Sequence, residues 1–305
     1  MLQGLLFTLT TGLLWAAIGV AYSVMAQRRM GFFAVMGPSF VVTTALAWGV
    51  LPNYRLLANG GVDRLSALAA IMAGAGAITV VGMACMQEAM RRGHHAASWA
   101  VGQSALVAPY LVGVLLFSEP LVWNKALGVL LILGSLVAFG WARKGERDEK
   151  ERSQSSDAAS RGGLGWFMLV IHALLLLSVS QSLTTLPSHW AGWTDAAGLR
   201  VPLFFSGLGA AYLAAGLIVR KLPGKEELLV AAALVVLALP SHFCLYRAMD
   251  CLKPLQMVGA VYPLAVGICI LGFALYSLLL LKEKTTAFHV LGLCVGLAGI
   301  VLLSL

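Results

Sequence analysis

Residues 118–139 read SEPLVWNKALGVLLILGSLVAF, and residues 281–303 read LKEKTTAFHVLGLCVGLAGIVLL. Laid over one another so that Glu119 falls on Glu283, the two stretches also bring Gly128 onto Gly292. Upstream, a constant shift of 159 residues places QEAM (Gln87 to Met90) on YRAM (Tyr246 to Met249), Gly4 on Gly163, Tyr22-Ser23 on Gln181-Ser182, and Gln103 on Tyr262. A gap of about five residues inside the ninth apolar segment joins the two registers. Isolated apolar coincidences are cheap in so hydrophobic a chain, whereas polar ones are not. The sequence therefore reads as two copies of one unit.

The solvent for that unit is lipid. Of 305 residues, 60% are apolar and 11% charged, against about 45–50% and about 25% in a typical soluble domain. The charges fall in clusters and leave nearly charge-free runs of roughly 18 to 25 residues, the length that crosses about 30 Å of hydrocarbon as helix. Ten spans are predicted: Leu2 to Met25, Gly31 to Leu51, Leu65 to Met90, Ala96 to Phe117, Leu121 to Trp141, Leu164 to Pro187, Val201 to Val219, Leu228 to Met249, Pro254 to Leu281 and Thr286 to Leu305. The first run is too long for a signal-peptide core and has no basic residues before it, so it is read as a membrane helix. Trp190 and Trp193 stand before the seventh span, where interfacial aromatic anchors are expected.

Residues 142–163 are a mixed-charge stretch with Ser and Gly and almost no apolar side chains. Such a segment cannot bury enough surface to order itself, and is expected to be a flexible tether. It separates a first repeat (1–141, spans one to five) from a second (164–305, spans six to ten). Five is an odd number, so the second copy must run through the bilayer upside down. The expected fold is all-α, with ten transmembrane helices as two inverted five-helix repeats around a central cavity, the build of many secondary transporters.

With these features the sequence resembles the drug/metabolite transporter superfamily, and within it the ten-span proteins with two EamA-type halves. The resemblance covers essentially the whole chain and is strongest over Ala89 to Phe139 and Ala248 to Leu303. In both stretches an alanine precedes a short loop, and a small-residue-rich helix contains a proline (Pro109, Pro263). A glutamate (Glu119, Glu283) closes that helix, and a glycine-rich last span follows (Gly128, Gly134; Gly292, Gly296, Gly299). The resemblance implies a cavity lined by spans one, three, four, six, eight and nine, with spans five and ten toward the periphery, and alternating access by rocking of helices. It leaves the substrate open, since related members move amino acids, sugars, amines, drugs or lipid-linked sugars. It also implies that both termini face the cytoplasm.

Polar side chains are costly in hydrocarbon, so those in cavity-type spans are the candidate binding residues. Gln103 and Tyr262 lead, being related by the repeat and lying within spans of the lining type. Tyr22 and Gln181 are a second repeat-related pair, and Trp15, Trp99, His172, Tyr246 and His242 complete the set. Each could equally serve as a hydrogen-bonding contact between helices. His172 and His242, the latter just after Pro240, could titrate near neutral pH and couple transport to protons. Glu88 and Arg247 also coincide under the repeat and would stand at opposite ends of the cavity as gating or charge-attracting groups, or would snorkel to the interface. No Asp or Glu lies near the centre of any span, which disfavours cation export through a membrane-embedded glutamate and favours a neutral or zwitterionic solute.

Several classes are set aside. The five cysteines show no metal-ligand spacing, and HExxH, GxSxG and paired intramembrane carboxylates are absent, so neither an enzyme nor a cofactor or metal is expected. The net charge of +8 is spread among short loops and does not form one basic face, which argues against nucleic acid. The partners expected are a small-molecule substrate and the bilayer of an inner or plasma membrane. The small-xxx-small spacing of Gly292, Gly296 and Gly299 would serve either packing on span five or a homodimer. Loops after odd-numbered spans hold 15 of the 21 Lys and Arg residues, which by the positive-inside rule puts both termini outside, the reverse of what the resemblance implies. The rival functions are a flippase for a lipid-linked precursor, with Arg247 or Lys253 reaching a phosphate, and a structural or sensory membrane protein without transport.

Overall fold

The computed structural model describes residues 1–51, 64–92, 98–99, 102–151, 159–190, 197–220, 222–279 and 287–304, and the side chains of most of them. The described residues form ten α-helices, α1 (Leu2–Gln27), α2 (Phe32–Val50), α3 (Leu65–Arg91), α4 (Val107–Phe117), α5 (Trp123–Glu151), α6 (Ala159–Thr185), α7 (Ala197–Val219), α8 (Lys225–Leu252), α9 (Val261–Leu279) and α10 (Ala287–Ser304), with no strand among them. Six of these, α1, α2, α3, α6, α7 and α8, are long and apolar enough to cross a membrane, and shorter apolar helices lie within the other four. Their outer faces are apolar: Leu115, Leu217, Leu229 and Val236 are each at least two-thirds exposed. A soluble bundle would not present such surfaces together. The chain is a multi-pass, all-α membrane protein.

Inside the helices, hydroxyls bond back to carbonyls one turn earlier: Thr8 to Gly4, Thr11 to Phe7, Ser39 to Val35, Thr43 to Ser39 and Ser206 to Pro202. This self-satisfaction lets polar residues sit in hydrocarbon. Pro38, Pro202 and Pro240 lie inside α2, α7 and α8. Each withdraws one backbone donor, a loss that membrane helices tolerate where nearby groups re-satisfy the freed backbone.

Helix α1 packs along α8 and α9, α3 along α6 and α7, α2 along α7 and α8, and α5 along α10. Glycines set several crossings. At the α3–α7 crossing, an added Cβ at Gly207 would collide with the carbonyl of Ala73, and one at Gly76 with the carbonyl of Phe204. On α10, Gly299 lies against the backbone of Gly128 and Gly296 against Ser135. The glycine face of the last helix therefore packs on α5 within the chain.

The start of α1 meets the end of α8, with Gly4 against Leu252 and Cys251, and the end of α1 meets the start of α8, where Arg28 pairs with Glu226 at 2.9 Å. At that second end Glu227 accepts the Gly31 N–H at 2.6 Å and the Gly224 N–H at 2.8 Å, tying two interhelix turns together. Arg29 turns the chain there with φ 49.

Helix α5 continues to Glu151 and α6 begins at Ala159, so helix reaches into both ends of the 142–163 stretch. Residues 142–151 are rich in Arg, Lys and Glu, all strong helix formers. Residues 152–158, Trp193 and Glu283 lie outside the described residues.

Candidate functional site

A cavity of about 860 Å³, its open end included, lies in the middle of the bundle. Helix α1 brings Trp15, Ile18 and Tyr22 to it, α3 brings Thr79 and Met83, and the segment before α4 brings Trp99 and Gln103. From the second half, α6 supplies Leu177, Ser180, Gln181 and Thr184, α8 supplies Leu234, Ala238 and His242, and Tyr262 stands at the start of α9. Seven of the nine candidate binding residues thus share one cavity, including both members of each repeat-related pair: Gln103 with Tyr262, and Tyr22 with Gln181. Helices α2 and α7, which the resemblance left out of the lining, also contribute, through Phe40 and through Phe204, Leu208 and Tyr212. Nothing in their sequence separates these aromatics from lipid-facing ones.

The walls are flat rings. Phe40 stacks on Tyr212 at 5.1 Å and 10°, Phe204 on His242 at 5.0 Å and 25°, and Trp15 on Tyr262 at 5.9 Å and 29°. Between the rings, most hydroxyls are already engaged. Thr184 Oγ1 donates to the Gln181 carbonyl at 2.8 Å, so the Tyr262 hydroxyl, 2.6 Å away, donates to Thr184. The Thr79 and Ser180 hydroxyls, 2.7 Å apart, both reach the Ala75 carbonyl, so each spends its one proton on that carbonyl or on the other hydroxyl. The Tyr22 hydroxyl donates to Met36 Sδ and accepts from Tyr212. His242 Nδ1 lies 3.0 Å from the Ala238 carbonyl, which can only accept; the ring proton is therefore on Nδ1. Among the described residues, no Asp, Glu, Lys or Arg lines the cavity.

Two candidates lie elsewhere. His172 is exposed on α6, its Nδ1 2.7 Å from the carbonyl of Met168. Tyr246 is fully buried one turn beyond His242, 6.5 Å from it ring to ring, with its hydroxyl unpartnered. Glu88 sits at the end of α3 beside Arg92 at 3.3 Å and Arg91 at 3.9 Å, and it borders a second hollow at that end of the bundle with Gln87 and Arg29. Arg247 is half-buried on α8. Neither lines the central cavity.

Sequence reasoning missed what closes one end. Arg200, in the first turn of α7, is fully buried. Its Nη1 donates to Ser188 Oγ at 2.7 Å, its Nη2 is 3.6 Å from Asp250 Oδ1, and its guanidinium lies 5.5 Å from the centre of the Tyr246 ring. On α8, His242, Tyr246 and Asp250 follow at one-turn intervals, so this cluster forms the layer just past the cavity floor. Next to Ser188, His189 lies flat on Phe117 at 3.8 Å and 3.8 Å from Glu119 Oε1. Glu119 accepts the Gly259 N–H at 3.0 Å. Burial raises its carboxyl above the usual range, against the opposing pull of that N–H and of Lys125. Lys253 Nζ donates to the Trp190 carbonyl at 2.9 Å. The ends of α4, α6 and α8 and the starts of α7 and α9 are thereby locked together.

No family model matches this sequence, and no curated protein matches it. Twenty chains among solved structures match its fold. One, described only as "Crystal structure of protein", superposes with a TM-score of 0.68 at 15% identity, covering 98% of this chain and 95% of the other. At that identity the likeness is one of fold alone.

Proposed function

We propose that this chain is a ten-span secondary transporter, built as two inverted five-helix repeats of the EamA type, that moves a small neutral or zwitterionic metabolite by alternating access. The observation that carries the reading is the central cavity, to which the two halves contribute repeat-related polar residues at its core. The helix contacts support the repeat: exchanging α1–α5 for α6–α10 turns the α1–α8 contact into α6–α3 and the α2–α8 contact into α7–α3, and leaves α2–α7 and α5–α10 unchanged. The proposed motion opens the Arg200 end while the other end closes, bringing water to a guanidinium that is fully buried in this state. No cation among the described residues lines the cavity, which argues against a phosphate-bearing lipid precursor as cargo. The test is counterflow. Proteoliposomes preloaded with an unlabelled neutral metabolite are expected to accumulate the labelled solute transiently above equilibrium, and protein-free liposomes are not. Absence of counterflow across amino acids, amines, sugars and nucleobases would remove the transport reading.

A further inference from the structure

The geometry points to an uncharged planar ring carrying a hydrogen-bond donor beside an acceptor, a lactam or cis-amide edge, as the ligand of the central cavity. The inference rests on the reading of that cavity as the transport site and names what it takes.

Three observations lead there. First, charge is excluded on two grounds: no ionised side chain among the described residues lines the cavity, and the buried guanidinium of Arg200 lies just past its floor under Tyr246. An ammonium ligand would meet that cation without a carboxylate in the wall, and an anion would find the same guanidinium sealed behind Tyr246 and engaged with Ser188 and Asp250. A buried charge without a partner is strongly disfavoured. Second, the apolar contacts are ring faces, which suit a flat solute stacked by offset or edge contacts.

Third, the hydrogen-bond ledger is specific. Thr79, Ser180, Thr184, Tyr22, Tyr212, Tyr262 and His242 Nδ1 already make hydrogen bonds within the protein. The donors left among the described cavity residues are the amides of Gln103 and Gln181 and the indole N–H groups of Trp15 and Trp99, the last buried and without a partner. The acceptors left include the Gln103 and Gln181 amide oxygens, His242 Nε2 and the free lone pairs of hydroxyls such as Tyr262 Oη and Tyr212 Oη. Gln181 Oε1 is buried and has no partner. A primary amide presents a donor and an acceptor side by side, and pairs in two parallel bonds with a ring edge presenting the complementary pair. Two such amides, on neighbouring elements that pack together, are what an uncharged lactam ring would use. A site built this way strongly rejects analogues that lack the edge, because its own polar groups are then left unpaired.

The experiment measures binding and flux separately. Purified protein is titrated by thermal shift and calorimetry with uracil, hypoxanthine and nicotinamide, and with benzylammonium, benzoate and benzene-ring alcohols as charged or edge-lacking rings of similar size. The expected result is saturable binding of the lactam or amide rings at least tenfold tighter than any of the others. Gln103→Leu and Gln181→Leu are each expected to weaken binding at least tenfold, while Leu115→Met, on the exposed outer face of α4 and away from the cavity, leaves it unchanged. Tighter binding of benzylammonium or benzoate, no binding of any lactam ring, or full affinity in both glutamine variants would overturn the inference. The wild-type panel alone decides it if either variant fails to fold. Saturable ring binding without flux would sink the transport reading and uphold the ligand class; counterflow of charged solutes with no ring binding would do the reverse.

Discussion

Replacing Arg200 by Met is expected to destabilise the protein by about 3–5 kcal/mol, the cost of breaking a buried ion pair and leaving its other charge uncompensated. Arg200 is fully buried and the Asp250 side chain is 14% exposed, so water does not replace the lost guanidinium. Ser188 Oγ also loses its 2.7 Å donor. The double variant Arg200→Met with Asp250→Asn is expected to recover most of the loss, because removing both charges from a low-dielectric site is often neutral or better. The measurement is the melting temperature of detergent-purified protein for the two single variants and the double. If Arg200→Met melts with the wild type, the guanidinium is hydrated and the sealed end described above does not exist.

The second large effect is steric. Gly207→Val is expected to cost at least about 3 kcal/mol, and to lower the yield of monodisperse protein, because its Cβ has no room against the carbonyl of Ala73 and the α3–α7 crossing must separate. That crossing aligns Thr79 on α3 with Phe204, Leu208 and Tyr212 on α7, so ligand binding is expected to fail with it. Gly74→Ala, on the same helix as Thr79 and with open space where its Cβ would stand, is the control, and is expected to stay within about 1 kcal/mol of wild type. Equal stability of the two variants would contradict the close approach.

Much of this was legible in the sequence because lipid imposes a simple rule: a span must be long, apolar and self-bonded. The expected Leu2 to Met25 became α1 (Leu2–Gln27), and Val201 to Val219 became the larger part of α7. The polar residues Gln103, Gln181 and His242 announced themselves by standing in hydrocarbon, and they do line the cavity. Arg200 did not, since a charge at the edge of a span reads as an interfacial residue. Its burial depends on where the turn after α6 and the end of α8 fall, which is tertiary information. Phe40, Phe204 and Tyr212 were hidden for the opposite reason: an aromatic ring in a span looks the same whether it faces lipid or ligand. The helical reach of α5 to Glu151 shows a third limit, where low hydrophobicity marked the end of the membrane span but not of the helix.

The central claim, that the cavity is a pathway open in turn to both sides of the membrane, is tested most directly by placing one cysteine in it. In a variant with Cys85, Cys244, Cys251, Cys269 and Cys294 replaced, Gln181→Cys in sealed, oriented vesicles is exposed to a membrane-impermeant maleimide from either face. The account predicts labelling from both faces, with addition of a bound ligand protecting the thiol on each. Labelling from one face only, under every condition of ligand and gradient, would show a pocket and not a passage.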